Sequence, residues 1–194
     1  MLLCLSLTFL SAALACFARS GYRHTSMASI AEAAEVSRPT LYQYFTGKDD
    51  IFRAAVDWKL STISSLVESR VAQPGSIDER LTSLLEPVLR MHLREGIKVT
   101  REGDAFLGEI LDETYARAGD LWVPFEIRIV ALIRSVLEQY VSEQHESADM
   151  ATGEVAEVLF WTKGIALHVD GAEHAARLLR RLVSVALHGV TATG

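Results

Sequence analysis

The stretch from Thr25 to Lys48, TSMASIAEAAEVSRPTLYQYFTGK, constrains this chain more than any other. Thr25 and Ser26 place hydroxyls ahead of Met27, Ile30, Ala31 and Ala34, apolar residues at helical spacing, so a short helix is expected over about Met27 to Ala34. Val36 plugs the turn that follows. Ser37 can accept a hydrogen bond from the free N–H groups that open a second helix, where Pro39 sits in the first turn and loses nothing by lacking its own N–H. That helix is expected to run to about Phe45 with Leu41 and Phe45 inward. Arg38, Pro39, Thr40, Tyr42, Gln43 and Tyr44 then share the outer surface. Such a surface donates, accepts and stacks, as a reader of DNA bases must.

Taken with its flanks, the run FARSGYRHTSMASIAEAAEVSRPTLYQYFTGKDDIF resembles the DNA-binding region of the TetR/AcrR transcriptional regulators. Their pattern is roughly F-A-x-x-G-Y, T-S/T-x-x-x-I-A, G-V-S-x-x-T-L-Y-x-Y/H-F and K-x-x-L/I. The match is ordered but covers only about the first quarter of the protein. The resemblance implies an all-α chain of about nine helices. It would comprise an N-terminal three-helix helix-turn-helix DNA-binding domain, residues 1–48, and a helical effector-binding and dimerisation domain, residues 49–194. It further implies a repressor, not an enzyme, that binds a palindromic operator as a homodimer and is released by a small-molecule effector.

Carried over residue by residue, the resemblance makes Ser37 to Tyr44 the recognition helix, with Arg38, Pro39, Thr40 and Gln43 nearest the base edges. Tyr42, Tyr44 and Lys48 fall where the family touches phosphates, and Thr25, Ala28 and Ser29 add contacts from the preceding helix. The chemistry is compatible: Arg suits guanine, Gln adenine and the Thr methyl thymine, while Lys48 opens a helix whose N-terminal dipole attracts phosphate. Two departures stand out. Glu35 occupies the usual turn glycine position, and Pro39 replaces a common glycine. Glu35 is therefore expected in a left-handed backbone, at roughly 1 kcal/mol without glycine. The plainer reading of the same residues is a capped and packed helical pair.

The N-terminus invites another story. MLLCLSLTFLSAALAC resembles a secretory signal, with an Ala13-Leu14-Ala15 cleavage-like site before Cys16, although no Lys or Arg precedes Arg19. Cleavage there would remove Phe9, Leu10, Ala13 and Leu14, which with Phe17 form the face that should cover the helix-turn-helix. Retention in the cytoplasm is expected for that reason. The alternative is an exported or lipid-anchored helical binding protein. The uncharged run Met1 to Thr8 stands where the family usually carries a polar arm.

Composition fits the first reading. The 194 residues, 49% hydrophobic, suffice for a small head and a larger body, and no apolar stretch beyond residue 20 is long enough to span a membrane. Cys4 and Cys16 lack metal-ligand spacing and read as packed thiols. The net charge of −6 is uneven: residues 1–48 carry four Lys/Arg against two acids, leaving the rest strongly acidic. A basic end and a repelling body suit a site-specific binder of duplex DNA.

Beyond the head the chain reads as helices over Lys48 to Val71, Ile77 to Glu95 with a kink at Pro87, and Glu102 to Ala118. Three more follow: Asp120, as cap, to Gln144, then Asp149 to His168 and Ala172 to Gly189. The apolar side of the first of these is expected to carry Ile51, Phe52, Ala55, Trp58 and Leu66. The last two carry Val155, Val158, Leu159, Ile165 and Leu167, then Leu178, Leu179, Leu182, Val183, Val185, Ala186 and Leu187. This suits either a monomer core or a four-helix dimer interface, and the resemblance favours the dimer. The two recognition helices would then lie about 34 Å apart, or a larger helical repeat. Trp58, Met91, His92, Phe106, Tyr115, Trp122, Phe125 and Trp161 could line an effector pocket or simply be core. His92, His168 and His174 have no partner at a metal-ligand spacing, so neither metal nor cofactor is expected. Motifs of nucleophile elbows, zinc proteases and phosphate loops are lacking.

Overall fold

The structure, a computed structural model, describes residues 2–92, 101–143, 151–167, 169 and 171–191. These form α1 (Leu2–His24), α2 (Met27–Ala33), α3 (Arg38–Tyr42), α4 (Lys48–Val71), α5 (Ile77–Met91), α6 (Arg101–Glu143), α7 (Ala151–Trp161) and α8 (Ala172–Thr191). A 3₁₀ helix spans Thr162–Leu167 between the last two. Every regular element among the described residues is thus helical. Eight labelled α-helices stand against the nine expected because α6 takes in both helices expected over 102–144, which meet at a kink at Ala118 (φ −141°, ψ 24°), where their boundary was expected. Asp120 is not a free cap there; its carboxylate is held by both Arg53 guanidinium nitrogens, at 2.8 and 2.7 Å.

The helix expected over 149–168 also differs: it passes from α7 into the 3₁₀ turn, where the Thr162 hydroxyl donates to the Leu159 carbonyl at 2.6 Å. The expected positions 93–95, 144, 149, 150 and 168 lie outside the described residues. α5 is a single helix that continues through Pro87. Proline removes the bond to the carbonyl four residues back, that of Ser83. Arg70 supplies the missing donor at 2.8 Å, its guanidinium also pairing with Glu86 at 3.2 Å.

Packing divides the chain into two compact units, Met1–Ser61 with Ile97–Pro124, and Thr62–Gly96 with Phe125–Gly194. The head therefore packs with more than residues 1–48. In the first unit Phe9, Ala13, Phe17, Ile30, Leu41, Phe45, Ile51 and Phe52 are buried, and Leu14 is half-buried. The expected covering face of α1 is thus in use. Phe17 and Tyr22 both meet the Phe52 ring edge-on, at 4.9 and 5.2 Å between centroids. Gly21 (φ 73°, ψ 167°) lets α1 break into this cluster, a backbone region that essentially only glycine occupies.

The second unit buries Leu81, Leu84, Leu85, Val88 and Leu89 of α5 and Ile129, Ile133, Val136, Leu137 and Val141 of α6. Ala156, Leu159 and Phe160 of α7 and Ala175, Leu179, Val183 and Leu187 of α8 complete its core. On α4 the inward residues are Ile51, Phe52, Ala55, Val56, Leu60, Ile63 and Val67; Leu66, expected among them, is 41% exposed, and Trp58 is half-buried. The 3.6-residue period explains the shift, since Ile63 and Val67 continue the Val56–Leu60 stripe and Leu66 falls off it.

Candidate nucleic-acid interface

The turn between α2 and α3 is fixed by hydrogen bonds that the sequence specifies locally. Ser26 caps α2 through a reciprocal box: its hydroxyl accepts from the Ser29 N–H at 3.1 Å, and Ser29 Oγ accepts from the Ser26 N–H at 3.0 Å. At the other end Glu35 adopts φ 56°, as expected of a residue standing in for glycine. The left-handed residue closes a Schellman motif, with the Val36 N–H on the Ala31 carbonyl at 2.9 Å and the Glu35 N–H on the Glu32 carbonyl at 3.0 Å. Those bonds offset part of the strain that a side chain brings to this position.

α3 opens with Ser37, whose hydroxyl accepts from the Thr40 N–H at 3.2 Å, and with Pro39 in its first turn. The helix is shorter than expected, ending at Tyr42 rather than near Phe45, although the Tyr44 and Phe45 N–H groups still donate to the Leu41 carbonyl at 3.1 Å. Leu41 is fully buried and Phe45 is 8% exposed. Arg38, Pro39 and Gln43 are exposed, Thr40 is half-buried, and Tyr42 and Tyr44 are 47% and 37% exposed. The Tyr44 ring rests edge-on against Phe9, at 5.1 Å, which aims its hydroxyl without hiding it. Ala28 is exposed on α2.

Thr25 is placed differently from the expectation. It is 3% exposed, and its hydroxyl donates to the Gly21 carbonyl at 2.7 Å with the Cys16 carbonyl at 3.1 Å sharing it. The break at Gly21 leaves carbonyls without helical donors, and Thr25 is the donor that meets them. Its side chain holds the α1–α2 corner rather than facing outward. Cys16 is a buried free thiol; the side chain of Cys4 lies outside the described residues.

Lys48 begins α4 and lies against the end of α1. Its ammonium donates to the Tyr22 and Arg23 carbonyls at 3.0 and 3.4 Å and sits 4.3 Å from the Tyr22 ring centroid. Sequence reasoning did not find the groups around it. Tyr22 Oη donates to Asp49 at 2.7 Å; Arg117 of α6 donates to Asp49 at 2.6 Å and to Glu113 at 2.7 Å, with its guanidinium 3.9 Å from the Tyr22 ring centroid. Burial and the hydrogen bond to Asp49 push the Tyr22 hydroxyl up to about 12. The Tyr22 hydrogen bond, followed by that from Arg117, holds Asp49 below its ordinary value; Arg117 does the same for Glu113. Only Gly21-Tyr22 had a sequence signal, as part of the family pattern.

The expected effector residues fall in both units. Tyr115 (43% exposed) and Trp122 (8%) meet edge-on at 6.1 Å in the first, which also holds the half-buried Trp58. In the second, Phe125 is 5% exposed and Met91 and His92 are half-buried. His92 Nδ1 lies 2.8 Å from the Val88 carbonyl, and burial pulls its pKa down. The side chain of Phe106 lies outside the described residues. Of the expected dimer residues, Val158, Leu182 and Val185 are 64%, 40% and 65% exposed, and Val155 and Leu178 are half-buried. Leu159 is instead 1% exposed, turned into the core of its own unit by the period of α7.

Residues 9–55 match the model of the bacterial regulatory proteins of the tetR family. A segment of 62 residues is 36% identical to the HTH-type transcriptional repressor ComR of Escherichia coli (strain K12); it covers 32% of this chain, and the chain spans only 30% of that repressor's length. Over nearly the whole chain the fold is that of solved regulators. A TetR-like transcriptional regulator from Rhodococcus sp. RHA1 superposes with a TM-score of 0.67 at 23% identity, covering 95% of this chain and 96% of that one. The TetR family regulator PfmR from Thermus thermophilus gives 0.68 at 17% identity, covering 93% and 97%. The head thus matches the model of the bacterial regulatory proteins of the tetR family, and over nearly the whole chain the fold is shared with solved TetR-like regulators.

Proposed function

We propose that this chain is a cytoplasmic repressor that binds a palindromic operator as a homodimer and leaves it when a small molecule binds the helical body. The observation that carries the reading is the outer face of α3. Its start is fixed by Ser37 and Pro39, its inner side is anchored by the fully buried Leu41, and Arg38, Gln43, Tyr42 and Tyr44 are exposed. A rigid, short, polar helix face is what direct readout in a major groove requires. In this reading Arg38, Pro39, Thr40 and Gln43 meet base edges, and Ala28, Ser37, Tyr42, Tyr44 and Lys48 meet the backbone. Thr25 supports the head from inside.

The exposed Val158, Trp161, Leu182 and Val185 of α7 and α8 supply the apolar surface for a second copy. The effector is a small, largely apolar molecule held by aromatic residues of the body. It need only favour the released conformation; a hundredfold preference supplies about 2.7 kcal/mol of coupling. Selection of bound duplexes from a random pool tests the core of the proposal. The expected product is a two-fold symmetric sequence with half-sites about one helical turn apart or a multiple of it. Recovery of unenriched sequence would defeat it.

A further inference from the structure

We propose that Arg117, far from the recognition helix in sequence, is the positioning residue that keeps Lys48 ready for a phosphate, acting through Tyr22 and Asp49. This rests on the reading of Lys48 as a backbone contact. Lys48 lies on Tyr22 twice over, donating to its carbonyl at 3.0 Å and sitting 4.3 Å from the centre of its ring. An ammonium has three donors, and the Tyr22 and Arg23 carbonyls engage two. The direction of the third is set by where Tyr22 stands.

Tyr22 is held from one side by its neighbours Phe17 and Phe52 and from the other by Asp49 and Arg117. Its hydroxyl is 2.7 Å from Asp49, Arg117 Nη1 is 2.6 Å from the same carboxylate oxygen, and the guanidinium lies 3.9 Å from the ring centroid. Arg117 is itself aligned by Glu113, one helical turn earlier at 2.7 Å, and Glu113 also reaches Arg23 at 3.4 Å. Its main chain is fixed as well. The break in α6 at Ala118 comes directly after Arg117, and the carbonyl of Arg117 is taken by Arg53 of α4, which also clasps Asp120.

These ion pairs are partly exposed, the Asp49 side chain at 66%, and such pairs add little to stability. What the set contributes is geometry. One planar, forked side chain satisfies two carboxylates and stacks on a ring at the same time, which a lysine cannot do. Tyr22 is neutral at ordinary pH, as an unperturbed tyrosine is, and its raised hydroxyl keeps it a donor to Asp49 into alkaline solution.

The test uses the full-length protein and the duplex it selects from a random pool. Affinity and its salt dependence are measured for the wild type, Arg117→Met, Arg117→Lys, Lys48→Ala and the double variant Arg117→Met with Lys48→Ala, with thermal midpoints as controls. Arg117→Met is expected to bind about fivefold more weakly and with a salt slope reduced by about one contact, while its midpoint stays close to the wild type. Arg117→Lys should recover only part of the loss. The double variant should bind no more weakly than Lys48→Ala alone, because the two residues serve one contact. Additive losses, or an Arg117→Met deficit with an unchanged salt slope, would overturn the proposal while leaving the DNA-binding reading intact. If Arg117→Met does not fold, Arg117→Lys with the full affinity and slope of the wild type overturns it equally. A wild-type protein that selects no duplex removes the DNA-binding reading, and this proposal with it.

Discussion

The outer face of α3 and the exposed apolar residues of α7 and α8 are both turned to solvent, yet they are chemically opposite. α3 shows a guanidinium, a carboxamide, hydroxyls and phenols; α7 and α8 show Val158, Trp161, Leu182 and Val185. Water solvates the first set well, so a partner gains there only by matching it hydrogen bond for hydrogen bond. Water solvates the second set poorly, so cover gains roughly 25 cal/mol per Å² whatever its detailed pattern. A surface of the first kind discriminates, and one of the second kind assembles. The first should respond to single atoms and to salt; the second should respond to a charge placed in its middle.

The largest effect should come from beneath the polar face. Leu41 is fully buried, and Leu41→Ala is expected to remove about 2–5 kcal/mol from the stability of the head, seen as a lower urea midpoint and as lost DNA binding. A variant that keeps its midpoint would mean that α3 is not anchored through this residue. On the apolar faces, Val158→Glu or Val185→Glu should weaken self-association at least tenfold, on the order of 1.4 kcal/mol or more, without altering secondary structure. Sedimentation equilibrium reads this directly; unchanged mass for both variants would move the assembly surface elsewhere.

Next come the two kinds of DNA contact. Gln43→Ala should cost about 1–3 kcal/mol on the selected duplex and little on a scrambled one, whereas Lys48→Ala should weaken both alike and flatten the salt dependence by about one unit. Equal behaviour of the two variants would erase the distinction between reading and positioning.

Acid and base should loosen the head at both ends of the pH scale. Asp49 and Glu113 are depressed in the folded protein, so their contribution is present above the unfolded values of about 4 and is lost as pH falls below them. Tyr22 is raised to about 12, so its contribution is complete below about pH 10 and fades between there and about pH 12. Thermal midpoints against pH should flatten at the acid end in Asp49→Asn and at the alkaline end in Tyr22→Phe; curves parallel to the wild type would count against the network. The smallest expected effect is a gain. Glu35 carries a side chain at φ 56°, and Glu35→Gly should stabilise by about 1 kcal/mol or less, because glycine relieves strain but frees the unfolded chain. A loss would show that the Glu35 side chain itself makes a favourable contact.

The same contrast explains what could be read from the sequence. The helix-turn-helix was legible because its determinants are local: the Ser26 box, the Ser37 cap with Pro39 behind it, the i, i+4 pair Leu41 and Phe45, and a turn that forces Glu35 left-handed. The charged network around Tyr22 was not, because Asp49 and Arg117 stand 68 positions apart and nothing at either end signals the other. Thr25 misled for a related reason. A hydroxyl before a helix reads as a cap that accepts from N–H groups, whereas this one donates to the Gly21 carbonyl. The kink in α6 was legible too, since Gly119, Asp120 and Pro124 read as a helix stop and start beside the departure at Ala118; that Arg53 holds the Arg117 carbonyl and Asp120 on either side of it was not. Leu159 and Leu66 show the limit of counting apolar residues, since one step in register separates a core side chain from an exposed one.

Whether α3 reads DNA is tested most directly by the ratio of affinities for the selected duplex and a scrambled duplex of equal length and composition, measured at moderate salt. The wild-type protein is expected to prefer the selected duplex by about a thousandfold or more, and Gln43→Ala to lower that ratio about tenfold. A ratio near one for the wild type would contradict the account, because electrostatic attraction alone would then explain all of its binding.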